Sequence, residues 1–449
     1  MNWTNINVFM DRFHAIEHDA GLFEDNVGDE LWWDSVRFEA CYYLYGCLTG
    51  LTYSSAHLPP ARGRKLGVLR RWALRQGLLA KARFDPGSVL AIRVPRNIVA
   101  GRSHDVVFDP IATAFSERML VVDTLPRRYH LPEYDPARWA GTVPRSLSAL
   151  VATLIDTFGL DAQRAPMLEE LIRRIRSQYA WQVAGYRRLF DVAHPRGLLM
   201  VQNGIEKALF HVAREAGVPS VEAQHGLIGH GHPAYSYSRE IDYSRQTGMP
   251  DLFLTFSPYW GTTSHYPARR QAVVGTDHFA TGFGAVEHPL GAIMVITANI
   301  YHTELLELTR QVAAKLSHRR VIYKLHPNQA ADASTIVAAF ADQPNVEVGD
   351  AMTPASRLMK DVSHLVAIQS TVVYEALQHG RRICIVPRYD HEIHADIFGL
   401  PGVAVVGTAD TLSAELERPA TGVQGSAFFQ RFDQERVREL LDPLLGRKT

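Results

Sequence analysis

Short apolar runs alternate with helical patterns throughout the second half of the chain. The apolar runs are Ala292 to Thr297, Arg320 to Leu325, Val346 to Val348, His364 to Ile368 and Arg382 to Pro387, and the segments that predict helices are Thr303 to Leu316, Ala331 to Ala341, Pro354 to Met359 and Thr371 to His379. Apolar runs of this length, separated by segments of helical period, are typical of buried parallel strands joined by helices. The pattern therefore predicts an α/β fold with a doubly wound parallel sheet.

The first half repeats this alternation less regularly, around longer helices. Its predicted strands are Ser88 to Pro95, Met119 to Asp123, Gly197 to Gln202, Pro219 to Gln224, Pro250 to Phe256 and Gln271 to Gly275, and its main predicted helices are Leu31 to Tyr45, Pro166 to Phe190 and Gly204 to Ala216. Because 449 residues exceed what one core usually supports, we expect two domains. We place an N-terminal domain with a helical extension at residues 1–275, a linker at 276–290 and a C-terminal domain at 291–449. The end of the chain, Phe428 to Leu445, predicts an amphipathic helix able to pack back across the domains.

Composition restricts the class of protein more than it defines the function. The 47 basic side chains balance 47 acidic ones, which argues against nucleic acid as a partner. The three cysteines, Cys41, Cys47 and Cys384, lie in apolar surroundings without metal-ligand spacing, which is typical of a reducing cytosol. Neither a secretory signal nor a membrane-spanning run is visible in the sequence. We therefore expect a cytoplasmic protein.

A basic stretch at residues 61–84 contains no acid. Its cations are Arg62, Arg64, Lys65, Arg70, Arg71, Arg75, Lys81 and Arg83, and they alternate with leucines, Val68 and Trp72. A basic helix with an apolar face can lie on an anionic membrane surface, which would place the protein at the inner face of the inner membrane with a lipid-linked substrate. The alternative is a solvated helix that packs its apolar face on the domain.

Two strand ends in the second half carry the most suggestive chemistry. One reads Val321 to Gln329 and ends in Lys324, His326 and Pro327; the other reads Ile368 to Leu377 and contains Ser370, Thr371 and Glu375. Parallel strands deliver such groups to the carboxyl edge of an open sheet, where these folds bind ligands. The hydroxyl pair also lies at a helix start, where free backbone N–H groups favour a phosphate. Together these residues predict a phosphate clamp in a nucleotide-sugar site.

A loop rich in glycine and histidine closes a predicted strand of the first half. It runs from Gln224 to Pro233, contains His225, His230 and His232, and is called the histidine loop below. Its spacing does not favour a metal, and a role as general base or hydrogen-bond donor fits better. Earlier in the chain, Asp34 lies one helical turn from Arg37, so that it either forms a local ion pair or lies at the floor of an acceptor cleft.

These motifs, in this order, resemble bacterial surface-polysaccharide glycosyltransferases of the GT-B architecture. The residues that carry the resemblance are Gln224-His225-Gly226, Lys324-Leu325-His326-Pro327, and Ser370-Thr371 followed by Glu375-Ala376-Leu377. The likeness is strongest to capsule and lipopolysaccharide enzymes that use CMP-activated sugars, such as the Kdo transferases and bacterial polysialyltransferases. The resemblance implies two Rossmann-like domains that face each other across a cleft, with the acceptor bound by the N-terminal domain and the nucleotide sugar by the C-terminal domain.

The resemblance also implies roles for single residues. His326 and the Ser370-Thr371 pair would hold the donor phosphate, with Lys324 and Pro327 beside them, and Glu375 would hold a ribose hydroxyl. The base that deprotonates the acceptor hydroxyl would come from the first half, and the candidates are His225, Glu222, His230 and Asp34. No Asp-X-Asp triplet follows a strand, so the transfer is expected to be independent of metal.

The expected function is transfer of a sugar to a growing capsule or O-antigen glycan, and CMP-Kdo is the favoured donor. The Asp-Asp/Glu-Gly triplet that some sialyltransferases use for the base is missing, which disfavours CMP-sialic acid. Two alternatives remain open. One is a glycerol- or ribitol-phosphate transferase that uses a CDP-alcohol, and the other is an enzyme like the UDP-GlcNAc 2-epimerases, which needs no acceptor.

Overall fold

The computed structural model describes residues 2–27, 30–51, 87–93, 97–99, 102–115, 119–123, 143–201, 206–281, 286–297, 302–351, 353, 355–388, 390–420 and 428–446. The basic stretch at 61–84, for which we predict membrane contact, lies outside these residues. Within them, no helix combines the length and the apolar character that a membrane span requires.

Two large parallel sheets account for most of the described strands. The strands are β1 (Asn26–Val27), β2 (Glu30–Leu31), β3 (Val89–Arg93), β4 (Asn97–Val99), β5 (Arg102–His104), β6 (Met119–Asp123), β7 (Gly197–Val201), β8 (Ser220–Ala223), β9 (Leu252–Thr255), β10 (Arg270–Val273), β11 (Ala292–Ile296), β12 (Val321–Lys324), β13 (Val346–Gly349), β14 (Val362–Ala367), β15 (Arg382–Ile385) and β16 (Val403–Val405). Two short antiparallel pairs, β1 with β2 and β4 with β5, lie outside the sheets.

Helices connect the strands in both halves. They are α1 (Ile6–Asp19), α2 (Asp34–Thr49), α3 (Phe108–Phe115), α4 (Leu147–Thr157), α5 (Ala165–Ala193), α6 (Lys207–Glu215), α7 (Pro258–Thr263), α8 (Asp277–Thr281), α9 (His302–Lys315), α10 (Ala333–Ala339), α11 (Ala355–Leu358), α12 (Val372–Gln378), α13 (Ala409–Leu416) and α14 (Gln434–Leu445). Short 3-10 helices cover Ala162–Arg164, Pro327–Asp332 and His391–Ile397.

The first sheet has the strand order β10-β9-β8-β7-β3-β6, and its neighbouring strands pair in parallel. Every residue of β7, β8 and β9 is buried, in keeping with the apolar sequences of β7 and of most of β9, while β8 buries the polar Ser220 and Glu222 as well. Counted along the chain from β3, the order is 2-1-3-4-5-6, so the order reverses between β3 and β7. A doubly wound sheet binds ligands at its carboxyl edge near such a reversal.

The second sheet has the order β13-β12-β11-β14-β15-β16, again with parallel pairs. Counted from β11, this is the Rossmann order 3-2-1-4-5-6, with its reversal between β11 and β14. The hydroxyl pair follows β14 and therefore lies at that reversal. The predicted fold class is confirmed: the chain is an α/β protein with two doubly wound sheets, as in the GT-B architecture.

An N-terminal helix pair, α1 and α2, packs beside the first sheet around a buried ion pair. Arg37 bonds Glu17, with 2.6 Å between its Nε and Oε1, and the indole N–H of Trp33 donates to the same oxygen at 2.7 Å. The first of the two alternatives for Asp34, a local pair with Arg37, is therefore wrong. Arg37 instead reaches the acid of the other helix, since Glu17 is fully buried and needs a cation.

The C-terminal segment crosses back to the first sheet. The side chains of Trp260 and Ser257 both donate to the carbonyl oxygen of Phe428, at 2.7 and 2.8 Å, while the amide of Gln378, at the end of α12, bonds both backbone groups of Phe429. Helix α14 then packs against α3 and β7. The tail thus packs across both halves, as its amphipathic pattern indicates. The domain boundaries at residues 275 and 290 remain a prediction.

Candidate active site

The carboxyl edges of the two sheets face each other and touch at the histidine loop. The backbone N–H of Leu227 donates to Thr371 Oγ1 at 2.9 Å. A Cβ at Gly226 would lie 3.1 Å from the same oxygen, so a larger residue at this position would crowd the hydroxyl of Thr371. The structure therefore brings together the two motifs that the sequence separates by more than a hundred residues.

Gln224 fixes the shape of the histidine loop. Its side chain is fully buried, its Nε2 donates to the carbonyl oxygen of Gly226 at 2.8 Å, and its Oε1 accepts from the N–H of Phe256 at 3.1 Å. Since one amide bonds both the loop and the end of β9, the turn after β8 is held in one conformation. Gln224 therefore anchors the loop, and Gly226 makes the close contact with Thr371.

His225 belongs to a row of hydrogen-bonded side chains. Its Nδ1 lies 3.1 Å from the hydroxyl of Tyr235, which donates to Glu222 Oε1 at 2.6 Å, and the hydroxyl of Tyr266 donates to Glu222 Oε2 at 2.6 Å. Glu222 is fully buried on β8. Each oxygen of its carboxylate therefore accepts a hydrogen bond from a tyrosine hydroxyl.

The other two predicted base candidates lie in different surroundings. The ring of His230 bonds Asp11 on α1, with 2.8 Å between Nε2 and Oδ1. Asp34 is buried beneath the loop, where its Oδ1 accepts from Lys207 at 3.1 Å and from the hydroxyl of Tyr237 at 2.9 Å. Burial lowers the pKa of Lys207, and the charge of Asp34 opposes that shift.

The buried Arg37 also holds the far end of this loop. Its guanidinium donates to the carbonyl oxygens of Pro233 and Ser236, the latter at 2.6 Å. His14 of α1 bonds the same Ser236 oxygen at 3.0 Å, and burial lowers the pKa of its ring to about 3. A neutral His14 and a charged Arg37 therefore fix the segment that carries Tyr235 and Tyr237.

On the second sheet, His326 and the hydroxyl pair flank the end of β11. They follow β12 and β14, the two neighbours of β11, so their backbones lie roughly 9–10 Å apart at a spacing of about 4.8 Å between strands. The N–H of His326 is held by Thr297 Oγ1 and Gln329 Oε1, each at 2.9 Å. Its imidazole is exposed at this edge, so a phosphate above β11 would lie between the two halves of the predicted clamp.

Lys324 does not point outward, as a strand lysine commonly does. It is buried, and its ammonium donates to the carbonyl oxygens of Leu325 and Ala351, at 2.5 and 3.1 Å. Burial lowers its pKa, and its charge in turn helps burial to lower the pKa of His326. Lys324 therefore lies at the predicted site but is bonded to backbone. Pro327 starts the 3-10 helix Pro327–Asp332 directly after His326.

The helix start at the hydroxyl pair differs from the sequence expectation. The N–H of Ser370 donates to Nε2 of the buried His394 at 3.2 Å, and the N–H of Val372 donates to Ser370 Oγ at 3.2 Å. Two N–H groups expected to be free for a phosphate are therefore already bonded, one by His394 of the 3-10 helix His391–Ile397 and the other by the hydroxyl of Ser370. The hydroxyls of Ser370 and Thr371 act as acceptors here, and each retains its own proton for donation.

Glu375 contributes a buried carboxyl group close to this edge. Its side chain is only 4% exposed, and within the described residues no hydrogen bond or ion pair of this carboxyl is found. Burial alone raises its pKa from 4.5 to about 8. A buried carboxyl with a strongly raised pKa, next to polar groups at a sheet edge, is typical of a binding site.

Comparison with known proteins yields similar folds only. No family model matches the chain, and no curated protein matches it. Similar solved structures include UDP-GlcNAc 2-epimerase of Methanocaldococcus jannaschii (10% identity, 80% of this chain and 99% of that chain, TM-score 0.47), MurG of Acinetobacter baumannii (13%, 80% and 100%, 0.46) and the glycotransferase of kitacinnamycin (15%, 80% and 96%, 0.45). At these values the likeness carries no argument about ligand or reaction.

A surface depression of about 670 Å³ lies elsewhere, at the amino edge of the second sheet. It is lined by His288, Leu290, Arg320, Asp361 and neighbouring residues. Its charged groups pair with each other, with 3.7 Å between Arg320 and Asp361. Doubly wound sheets bind ligands at the opposite edge, so we locate the functional site by its side-chain chemistry and not by this depression.

Several residues of the site escape sequence reasoning. Tyr235, Tyr266 and His394 are joined to the predicted residues only by the fold, and no local motif marks them. Gln329 lies in the same strand-end motif as His326. Its position three residues later allows its side chain to bond back to the His326 N–H, so the sequence offered a signal for this contact. Among the described residues, no group of three or more His, Cys, Asp or Glu side chains could hold a metal ion.

Proposed function

We propose that this protein is a glycosyltransferase that moves a sugar from a nucleotide-activated donor to a growing capsule or O-antigen glycan. The proposed donor is a CMP-sugar such as CMP-Kdo. The donor would bind at the carboxyl edge of the second sheet and the acceptor at the edge of the first. The observation that carries this proposal is the contact between Leu227 and Thr371. It joins the loop that we propose to carry the base to the motif that we propose to hold the phosphate.

The chemistry of the second edge suits a departing nucleotide. Negative charge grows on the leaving phosphate in the transition state, and groups already in place around it stabilise that charge. The exposed imidazole of His326 and the hydroxyls of Ser370 and Thr371 would supply such donors. Glu375, four residues beyond Thr371, would accept hydrogen bonds from the ribose hydroxyls. A lipid-linked acceptor and membrane contact through residues 61–84 belong to the same proposal and rest on the sequence alone.

The choice of nucleotide can be tested by thermal unfolding in the presence of CMP, CDP and UDP. A ligand at 100 times its Kd stabilises the protein by about 2.7 kcal/mol, so CMP should raise the unfolding temperature most. A preference for UDP would overturn the CMP-sugar donor and favour an epimerase-like reaction. Turnover of CDP-glycerol or CDP-ribitol would favour transfer of a polyol phosphate.

His326→Ala tests the clamp within the same experiment. The variant should unfold like the wild type without ligand, lose the stabilisation by CMP and lose about 100-fold or more in turnover, which is typical for one missing transition-state donor. His318→Ala is the matched control, because this exposed histidine precedes the other end of the same strand. Unchanged turnover in His326→Ala would remove the clamp from the proposal.

A further inference from the structure

A histidine and a carboxylate form a close pair at the first edge, outside the motifs that the proposed function uses. Nδ1 of His104, at the end of β5, lies 2.6 Å from Oδ2 of Asp109 in α3. Arg93, the last residue of β3, donates from its Nη1 to the other oxygen of Asp109 at 3.3 Å. The side chains of Arg93, His104 and Asp109 are called the β3 cluster below.

Helix capping explains only part of this cluster. Asp105 caps the start of α3, since its Oδ1 accepts from the N–H groups of Val107 and Phe108 at 2.9 and 3.0 Å. Asp109 reaches back, and its Oδ2 accepts from the N–H of Asp105 at 3.1 Å, much as the second acid of a capping box does. Such a cap needs the carboxylate but neither a histidine nor an arginine, so it accounts for the place of Asp109 and not for its two neighbours.

The β3 cluster lies where a doubly wound sheet binds ligands. Strand β3 is one of the two strands at the reversal of the first sheet, and the cluster follows its carboxyl end. The start of α3 adjoins the histidine loop, because Val106 and Gln224 line the same small cavity. His278 of α8 is also near, since burial lowers the pKa of its ring and the charge of His104 adds to that effect. The cluster is thus close to the loop and to the segment that leads into the second half.

The register of the sheet gives the distance from the histidine loop. Ile92 of β3, Met200 of β7 and Glu222 of β8 lie in one row across the sheet. Two strand spacings of about 4.8 Å place the ends of β3 and β8 roughly 9–10 Å apart. The loop after β8 contacts the hydroxyl pair, and a disaccharide can span the gap from that loop to the cluster. The cluster is therefore placed for the sugar next to the reacting one.

The state of His104 follows from its contact with the carboxylate. A ring nitrogen 2.6 Å from a carboxylate oxygen needs a proton between the two atoms. The same carboxylate already accepts from Arg93 and from the N–H of Asp105, so the proton belongs to the histidine. The neutral ring then carries its proton on Nδ1 and a lone pair on Nε2. Within the described part of the chain no bond of Nε2 is found, and 39% of the side chain is exposed.

We propose that the β3 cluster binds the acceptor glycan, and that Nε2 of His104 accepts a hydrogen bond from a hydroxyl of the sugar next to the reacting one. Asp109 is a positioning residue, because it holds the proton of His104 on Nδ1. Arg93 compensates the charge of Asp109. This inference rests on the proposed function and deepens it, since it assigns the acceptor, a glycan with neighbouring hydroxyls, to particular residues.

The site can be probed without donor or lipid. Methyl glycosides of glucose, galactose and mannose present neighbouring hydroxyls in different geometries. Each is titrated into the wild-type protein while the Hε1 and nitrogen-15 signals of the histidines are recorded. The His104 signal, assigned through its loss in His104→Phe, should show a proton on Nδ1 and should move with at least one of the sugars.

The signal of His318, which pairs with Glu417 on an exposed surface of the second half, is the control and should stay in place. A His104 signal that none of the three sugars moves would overturn the proposal, as would a ring protonated on Nε2. Asp109→Asn offers an amide N–H to Nδ1, so the proton of His104 should move to Nε2 and the response to sugar should weaken. An unchanged tautomer and response in Asp109→Asn would contradict the positioning role.

Turnover gives an independent readout once a donor is found. His104→Phe should raise the KM for the acceptor about three- to tenfold, as expected for one lost hydrogen bond, while kcat changes little. His104→Gln, whose amide oxygen can accept the same bond, should restore part of the affinity. A loss of about 100-fold or more in kcat at unchanged KM would make His104 a base and overturn its assignment as a binding residue.

The two proposals fail in different ways. If CMP does not stabilise the wild type while the sugars move the His104 signal, the proposed donor is contradicted and the sugar site stands. If CMP stabilises the wild type and no sugar moves that signal, the donor site stands and the role of the β3 cluster is contradicted.

Discussion

The two carboxyl edges that meet at Leu227 and Thr371 satisfy their polar groups in opposite ways. On the first edge, Glu222 accepts from two tyrosines, and Arg37 and His14 hold the loop that follows. On the second edge, Glu375 is buried with a raised pKa and has no bond partner among the described residues. The first edge is thus fixed in advance by the protein. The second edge leaves a buried carboxyl group without a protein partner, which lowers the stability of the fold. A bound ligand could supply that partner, as is typical of binding sites.

Breaking the first edge should have the largest effect on stability. Arg37→Met leaves Glu17 as an uncompensated buried charge and removes the donor from two loop carbonyls, so unfolding should become easier by about 3–5 kcal/mol. Denaturant titration measures this loss. Arg187→Met is the control, because its pair with Glu215 is exposed and should contribute less than about 1 kcal/mol. Equal losses in the two variants would contradict the difference between buried and exposed pairs.

The second edge should respond in the opposite direction. The folded pKa of Glu375 lies above its ordinary value, so the folded state keeps a proton that the unfolded chain loses as the pH rises from 4.5 to about 8. The carboxyl therefore destabilises the fold increasingly over that window and has no such effect below it. Glu375→Gln, which does not titrate, should stabilise the fold by about 3 kcal/mol at pH 7 and by little at pH 4.

The same variant tests whether this destabilisation serves binding. If Glu375 holds the ribose, Glu375→Gln should weaken stabilisation by the nucleotide although the protein itself is more stable. Thermal unfolding with and without CMP at pH 4 and pH 7.5 measures both effects. A variant that is no more stable than the wild type at pH 7.5 would show that the carboxyl is not buried without a partner in solution.

The sequence predicts the second edge better than the first for a physical reason. Short apolar strands end in polar residues there, so the strand period itself places His326 and the hydroxyl pair at the edge, and the structure keeps them on either side of β11. The first edge is built from contacts between distant segments. Glu17, Arg37 and Ser236 come into contact only when α1, α2 and the segment after the histidine loop pack together. No local sequence pattern predicts such a contact.

Elements with weak patterns were missed in both halves. Helix α1 and strand β16 carry no prediction, because the first mixes polar and apolar residues and the second has only three residues. The N–H groups at the hydroxyl pair were expected to be free because a helix start normally leaves them so. His394, which binds one of them, comes from a 3-10 helix that the apolar period does not mark. Local patterns therefore locate strand ends, but they do not show which polar groups at those ends are already hydrogen-bonded by other segments of the chain.

The smallest predicted effect measures the contact between the two edges directly. Gly226→Ala places a Cβ 3.1 Å from Thr371 Oγ1 and should cost about 1 kcal/mol, and Thr371→Ala removes the hydrogen bond from Leu227 and should cost about the same. In the double variant the crowding disappears with the hydroxyl. The combined loss should therefore be smaller than the sum of the two by roughly 0.5–1 kcal/mol, as for residues in contact.

Gly399→Ala provides the matched control for this cycle, since a Cβ at that position meets no atom within 4 Å. Combined with Thr371→Ala, it should give additive losses in denaturant titrations. Additive losses for Gly226→Ala as well would mean that the edges do not touch in the free protein, and the two edges would then meet only after a ligand draws them together. A coupling that is present without ligand and grows with CMP would instead show that the nucleotide tightens a contact that the fold already makes.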